Sequence, residues 1–162
     1  MSRESRAAVP VLAVLAALLG AAAVWLGAQE RDAQARADER GAALRAASTH
    51  AMNLLSLHYE TVDSDVHRIL TSSTGAARTA YEAAAGELVR TTRKNKVVQE
   101  GVVRAAGLES ISGDTAKALV VADVVIRWDG SDDAPQERFY RWRMDLAKVR
   151  GVWLVSKAEQ VS

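Results

Sequence analysis

Residues 115–128 read TAKALVVADVVIRW, and every even position among them is apolar: Ala116, Ala118, Val120, Ala122, Val124, Ile126 and Trp128. A repeat of two held over this length fits a strand with one buried face, because successive side chains of a strand point to opposite sides. Such a strand needs neighbours to pair with and a layer to cover its apolar row.

The neighbours lie on either side in the sequence. Residues 97–111 form a first strand, with Gly107 expected to bend or bulge it. Ser112, Gly113 and Asp114 turn it into the alternating strand, and GSDDAP at residues 130–135 makes a surface loop. In residues 137–149, Tyr140, Trp142, Met144 and Leu146 alternate against Arg138 or Phe139, Arg141, Arg143 and Asp145. Arg150 and Gly151 then turn the chain into VWLVSKAEQV. Four consecutive strands joined by short turns predict an antiparallel meander.

The covering layer comes from the residues before it, which are rich in Ala, Arg and Glu and carry helical spacing. Leu44, Ala47, Ala51 and Leu55 fall at steps of three and four, with Met52 and Tyr59 widening the stripe and Gly41 as a weak point. TVDSDVHRIL predicts a short second helix capped by Thr61 or Asp63, with Val66, Ile69 and Leu70 inward. After the SSTG break, Tyr81, Ala84, Ala85, Leu88 and Thr92 mark one face of a third helix. Helices followed by strands signify an α+β domain and not βαβ units.

Ahead of this domain, residues 7–28 read AAVPVLAVLAALLGAAAVWLGA, 22 residues without a charge. At about 1.5 Å per residue a helix of that length matches the hydrocarbon thickness of a bilayer. Arg3 and Arg6 precede it, and a mixed, slightly acidic segment follows, so the positive-inside rule keeps the N-terminus in the cytosol. The expected organisation is a cytoplasmic tail at 1–6, a transmembrane helix at 7–28, a helical stalk at 29–42 and an extracytoplasmic α+β domain at 43–162. A cleaved signal peptide is the alternative, with Ala21, Ala22 and Ala23 as small residues for a peptidase. The continuation of apolar residues through Val24, Trp25 and Leu26 favours the anchor.

The chain has no cysteine, which excludes disulfides, thiolate metal sites and cysteine nucleophiles. Its formal net charge of +1 provides no basic field for nucleic acid. RTTRKNK at residues 90–96 reads as the solvated, cationic end of the third helix, since no aromatic residues interleave with its charges.

Candidate chemistry is sparse. His50, His58 and His67 are the only histidines, and Asp63 and His67 stand four apart, so a metal or acid/base cluster with Tyr59 and Asp65 is one reading. The other is a capped helix start with exposed histidines. Asp123 and Asp145 read as cross-strand charge partners on the solvated side of the sheet. Arg127, Arg138, Arg141 and Arg143 form a candidate interface, for a protein partner or anionic lipid. Trp128, Tyr140 and Trp142 either fill the core or line an apolar pocket. No nucleophile motif, phosphate loop or metal-ligand spacing is present, and no cofactor is expected.

HYETVDSDVHRIL at residues 58–70, the STG break, KNKVVQEGVVRAAG at 94–107, the SGD turn and RGVWLVSKAEQV at 150–161 together resemble the Mce-associated membrane proteins of actinobacteria. The resemblance covers nearly the whole chain. It implies a nuclear transport factor 2-like cone, three helices against a curved four-stranded sheet, also seen in inner-membrane assembly proteins of type IV secretion. It further implies a non-catalytic accessory protein that stabilises Mce lipid-import complexes, with transporter subunits or related Mce-associated proteins as partners. Family members often carry Phe just after the Thr-Gly of the break, where this chain has Ala76 and Ala77. Tyr81 is the replacement aromatic.

Three functions are therefore carried forward: a membrane-anchored scaffold, a holder of an apolar ligand or lipid, and an isomerase-like enzyme with Asp123 as its acid.

Overall fold

In a computed structural model, the backbone is described for residues 5–161 and the side chains for residues 29–161. In chain order the elements are α1 (Ser5–Leu55), β1 (Leu57–His58), α2 (Val62–Thr71), α3 (Gly75–Lys94), β2 (Val97–Ser112), β3 (Thr115–Trp128), β4 (Gln136–Val149) and β5 (Val152–Gln160). Residues 1–39 and 40–162 are two separate compact units. The first is helical throughout its described backbone, with residues 29–38 exposed. Among the described residues no helix is long and apolar enough to cross a membrane. The expected tail at 1–6 and span at 7–28 lie outside the residues whose side chains are described.

The second unit is the expected α+β domain, with one strand more than the meander predicts. The sheet runs β1-β2-β3-β4-β5, all antiparallel, and the extra edge strand pairs Leu57 with Gln99 and His58 with Val98. Two residues are too few to produce any periodic signal, so this strand arises only because α1 stops at Leu55 beside β2.

β3 buries Ala116, Ala118, Val120, Ala122 and Val124 as the alternation requires, while Ile126 and Trp128 are half-buried. The covering stripe of α1 is Ala43, Ala47, Ala51 and Leu55, a strict step of four, with Leu44 half-buried beside it. Alanine on both sides brings helix and sheet close together, and Met144, Leu146, Trp153 and Val155 fill the flanks. Each buried leucine here contributes about 1.5–3 kcal/mol. Gly41, the expected weak point, is helical and stands two residues after the end of the first unit, and Tyr59 lies beyond the helix end. Leu55 sits directly on the backbone of Gly101, where a Cβ would collide with it.

β2 has 16 residues against 14 in β3, and the difference is taken up by irregularities between Val103 and Ala105 and between Leu108 and Ser110. The bulged residues are thus Arg104 and Glu109. Gly107, the expected bulge, pairs in register with Leu119. Two bulges in one strand raise the local twist and curl the sheet around its covering helices. Gly113 and Gly151 adopt positive φ in the two tight hairpins, and so does Arg150.

In α2, Val62, Asp65, Val66 and Ile69 are buried. Neither Thr61 nor Asp63 makes the expected side-chain cap. In α3, Ala77 and Thr92 are buried, Tyr81, Ala85, Leu88 and Val89 are half-buried, and Ala84 is exposed. The SSTG segment breaks the chain as expected and also joins the sheet. Val155 N–H donates to the Ser72 carbonyl (3.1 Å) and Thr74 N–H to the Val155 carbonyl (2.8 Å).

Candidate functional site

His50 is completely buried, unlike the exposed histidine expected, because it points from α1 into the junction of α2 and α3. Its Nδ1 lies 2.8 Å from Ser72 Oγ and its Nε2 3.2 Å from the Tyr81 hydroxyl. Ser72 Oγ is also 2.8 Å from the Arg68 carbonyl and 3.0 Å from that of Ile69, and it accepts from Asn53 Nδ2 at 3.1 Å. A hydroxyl has one proton to give, and a helix carbonyl takes it. Ser72 therefore accepts from His50 Nδ1–H, and Tyr81 O–H donates to Nε2. Burial lowers the His50 pKa to about 4 and keeps the ring neutral. The aromatic that follows the break is accordingly Tyr81, whose job is to hold α3 to α1. Its own pKa is raised by burial.

Asp65 is the second buried polar centre, 2% exposed. Its carboxylate accepts from His58 N–H (2.9 Å), Thr61 Oγ1 (3.2 Å) and Arg68 Nη2 (2.8 Å), fixing the turn between β1 and α2. It holds the segment before α2 and does not take over the capping of the free α2 amides expected of Thr61 or Asp63. Asp63 pairs instead with Arg93 at the end of α3, His67 is exposed, and His58 stacks on Tyr59 with ring centroids 4.8 Å apart. The suspected cluster is therefore broken up: His58 touches Tyr59 by its ring and Asp65 only through its backbone N–H, Asp63 is taken by Arg93, and His67 is exposed. Among the described residues no group of three His, Cys, Asp or Glu could hold a metal ion.

The aromatic set divides. Tyr140 and Trp142 stack with centroids 5.0 Å apart and planes 13° apart, half-buried on the helix-facing side near Ala122 and Val124. Trp128 stands at the far end of β3, opposite Val97. An open groove of about 390 Å³ lies beside the stack, lined by Arg138, Phe139, Tyr140 and Gln160.

The four arginines do not share one face. β4 pairs Arg141 with Val121 and Arg143 with Leu119, on the outer side of the sheet, and Arg138 with Val124, on the helix-facing side. The alternation in sequence left Arg138 and Phe139 interchangeable; the register places Phe139 outside, 71% exposed. Arg127 bonds Glu100 at 2.6 Å and Arg143 meets Glu109 at 3.3 Å. Asp123 also lies outside, bonded to Arg104 at 2.5 Å, so it does not face an interior where an isomerase acid would stand. Asp145 takes part in a cross-strand charge pair as expected, its partner being Lys117 at 2.9 Å.

The sequence reading missed Ser72 and Tyr81 as partners of His50, Asn53 as a partner of Ser72, and Arg104 and Glu109 as outer-face charges. A histidine one residue before Ala51 in the apolar stripe was the available signal for the first. Nothing in the spacing marked the second, since a bulge shifts the register by one.

A family model described as Uncharacterized protein Rv1363c/MT1408-like matches residues 4–162. Uncharacterized protein Rv1363c of Mycobacterium tuberculosis is 31% identical over 139 residues, which is 85% of this chain and 51% of that protein. The chain thus spans about half the length of the curated relative it matches. Among solved structures, CagV of Helicobacter pylori, a VirB8 homolog of a type IV secretion system, matches with TM-score 0.61 at 10% identity, over 75% of this chain and 98% of that one. An IcmL-like type IV secretion system protein of Legionella pneumophila matches with TM-score 0.58 at 15% identity, over 74% and 91%. At these identities the likeness shows the fold: three helices on a curled antiparallel sheet, nuclear transport factor 2-like and VirB8-like.

Proposed function

We propose that this chain, which belongs to the Rv1363c/MT1408-like family, is a non-catalytic accessory protein of the cell envelope, held in the cytoplasmic membrane by residues 7–28, that associates with and stabilises an Mce-type lipid import complex. The observation that carries the non-catalytic part is where the buried polar groups point. His50 and Asp65 are both spent on tying helices and turns together, and no described buried side-chain nitrogen or oxygen lacks a partner. A reacting centre would aim such groups at open space.

Support for the partner comes from the sequence resemblance to Mce-associated proteins, and from a fold that recurs in proteins of type IV secretion systems. The domain would stand outside the cytoplasmic membrane, as the charges flanking the apolar run require. Deletion of the gene in its host should lower Mce subunit levels and lipid uptake, and crosslinking in native membranes should recover those subunits. Unchanged levels and uptake would overturn the reading.

The Tyr140–Trp142 stack favours a second reading, in which the helix-facing side receives an apolar ligand or lipid. Native mass spectrometry of protein purified from its host tests it, with a co-purifying lipid as the expected result and bare protein as the contrary one.

A further inference from the structure

The outer face of the sheet carries charges that are almost all matched within the chain. Arg104 meets Asp123, Arg127 meets Glu100, Arg143 meets Glu109, Lys117 meets Asp145 and Lys157 meets Glu159. Two are left over. Among the described residues, the Glu137 carboxylate and the Arg141 guanidinium on β4 have no side-chain partner.

These two stand on the same face, two residues before and two residues after Phe139, each about 7 Å from it along the strand. Phe139 is 71% exposed, and Val102 (50%), Leu119 (39%) and Val121 (36%) are exposed on the same side. The register makes them contiguous. Phe139 pairs with Asp123, which pairs with Val102, and Val121 and Leu119 follow in the next two rows. Exposed apolar residues gathered on one sheet face, with matched charges around them, mark a contact surface.

We infer that this face is a twofold interface between two copies of the chain, centred on Phe139. The leftover charges select the occupant. A surface offering a carboxylate and a guanidinium at equal distances on opposite sides of an aromatic ring is complemented by the same arrangement run in reverse. A second copy, turned about an axis crossing β4 at Phe139, presents it. The symmetry lays Phe139 on the partner's Phe139, sets Glu137 against the partner's Arg141, and sets Arg141 against the partner's Glu137. Val121 then lies over the partner's Val125, its neighbour two rows away. An isologous contact requires this kind of self-complementarity. The contact stands independently of the Mce reading, since it uses only the outer face and names no transporter.

The full-length chain, purified in detergent, tests it by sedimentation equilibrium. The wild type should be dimeric, and E137R and R141E should each raise the dimer dissociation constant by at least about tenfold. The double reversal E137R/R141E, which restores both cross-pairs, should return to within about threefold of wild type. The absence of cysteine permits a second measurement. F139C should crosslink copy to copy with a short bis-maleimide, whereas S131C, in the loop before β4, should not. A monomeric wild type, single reversals without effect, a double reversal as weak as the singles, or equal crosslinking at both cysteines would each overturn the inference.

Discussion

His50 and Ser72 are joined by a hydrogen bond of 2.8 Å between Nδ1 and Oγ, across 22 residues of sequence, and that bond selects the tautomer of a ring that burial keeps neutral. With Ser72 donating to a helix carbonyl, His50 gives its own proton to Ser72 and accepts from Tyr81. A second ring proton would turn the acceptor toward Tyr81 into a donor and would place a charge on a buried ring. Three helices meet at this one imidazole.

Acid should loosen that junction. The folded pKa of His50 is lowered from 6.5 to about 4, so between those values the unfolded chain binds a proton that the folded chain refuses. Stability tied to His50 is fully present above about pH 6.5, falls by about 3 kcal/mol as pH drops to about 4, and changes no further below that. Denaturant unfolding of wild type and H50Q across this range should show the wild type losing ground to the variant. Parallel curves would refute the assignment.

At Gly101 the constraint is space. A methyl group there meets Leu55 at the end of α1, so G101A should destabilise the domain by about 2 kcal/mol. The double variant G101A/L55A should be less damaged than the sum of its parts, because the second change removes what the first collides with. Thermal unfolding of the four proteins of the cycle measures the coupling.

Asp63 and Asp65 both stand in the first turn of α2, and only one of them matters greatly. D65N replaces an acceptor of three hydrogen bonds, 2% exposed, by an amide that turns donors toward donors, and should cost about 2–3 kcal/mol. D63N, which removes an exposed ion pair to Arg93, should cost less than about 1 kcal/mol. Equal losses by denaturant titration would contradict the geometry.

The Tyr59 hydroxyl donates to Asp129 Oδ2 at 2.7 Å, linking the start of α2 to the loop after β3. The bond, with the charge behind it, pushes the Tyr59 pKa up to about 12. Ultraviolet titration of wild type against D129N should show one tyrosine moving back toward 10. A tyrosine spectrum indifferent to D129N would show that the bond does not hold Tyr59 in solution.

Much of the fold was legible because much of it is periodic. The boundaries of β3 and the apolar row at Ala116 to Val124 follow from alternation, and the helices follow from steps of three and four. The hairpins were legible at Gly113 and Gly151, where positive φ favours glycine. β1 was not, because two residues make no period. The outer-face arginines were half legible: Arg141 and Arg143 fell on the expected side, and Arg138 fell on the other once the pairing with Val124 fixed the register.

The sequence by itself determined which face of each element is apolar and in what order helices and strands come, since both are local properties of backbone geometry. Tertiary structure alone decided that His50 finds Ser72 and Tyr81, that Asp65 and not Asp63 is buried, and that Arg104 and Glu109 bulge from β2 to meet Asp123 and Arg143. Those contacts join residues far apart in the chain. Their existence depends on how long a strand its neighbour can match and where a helix must stop, which no window of neighbouring residues contains.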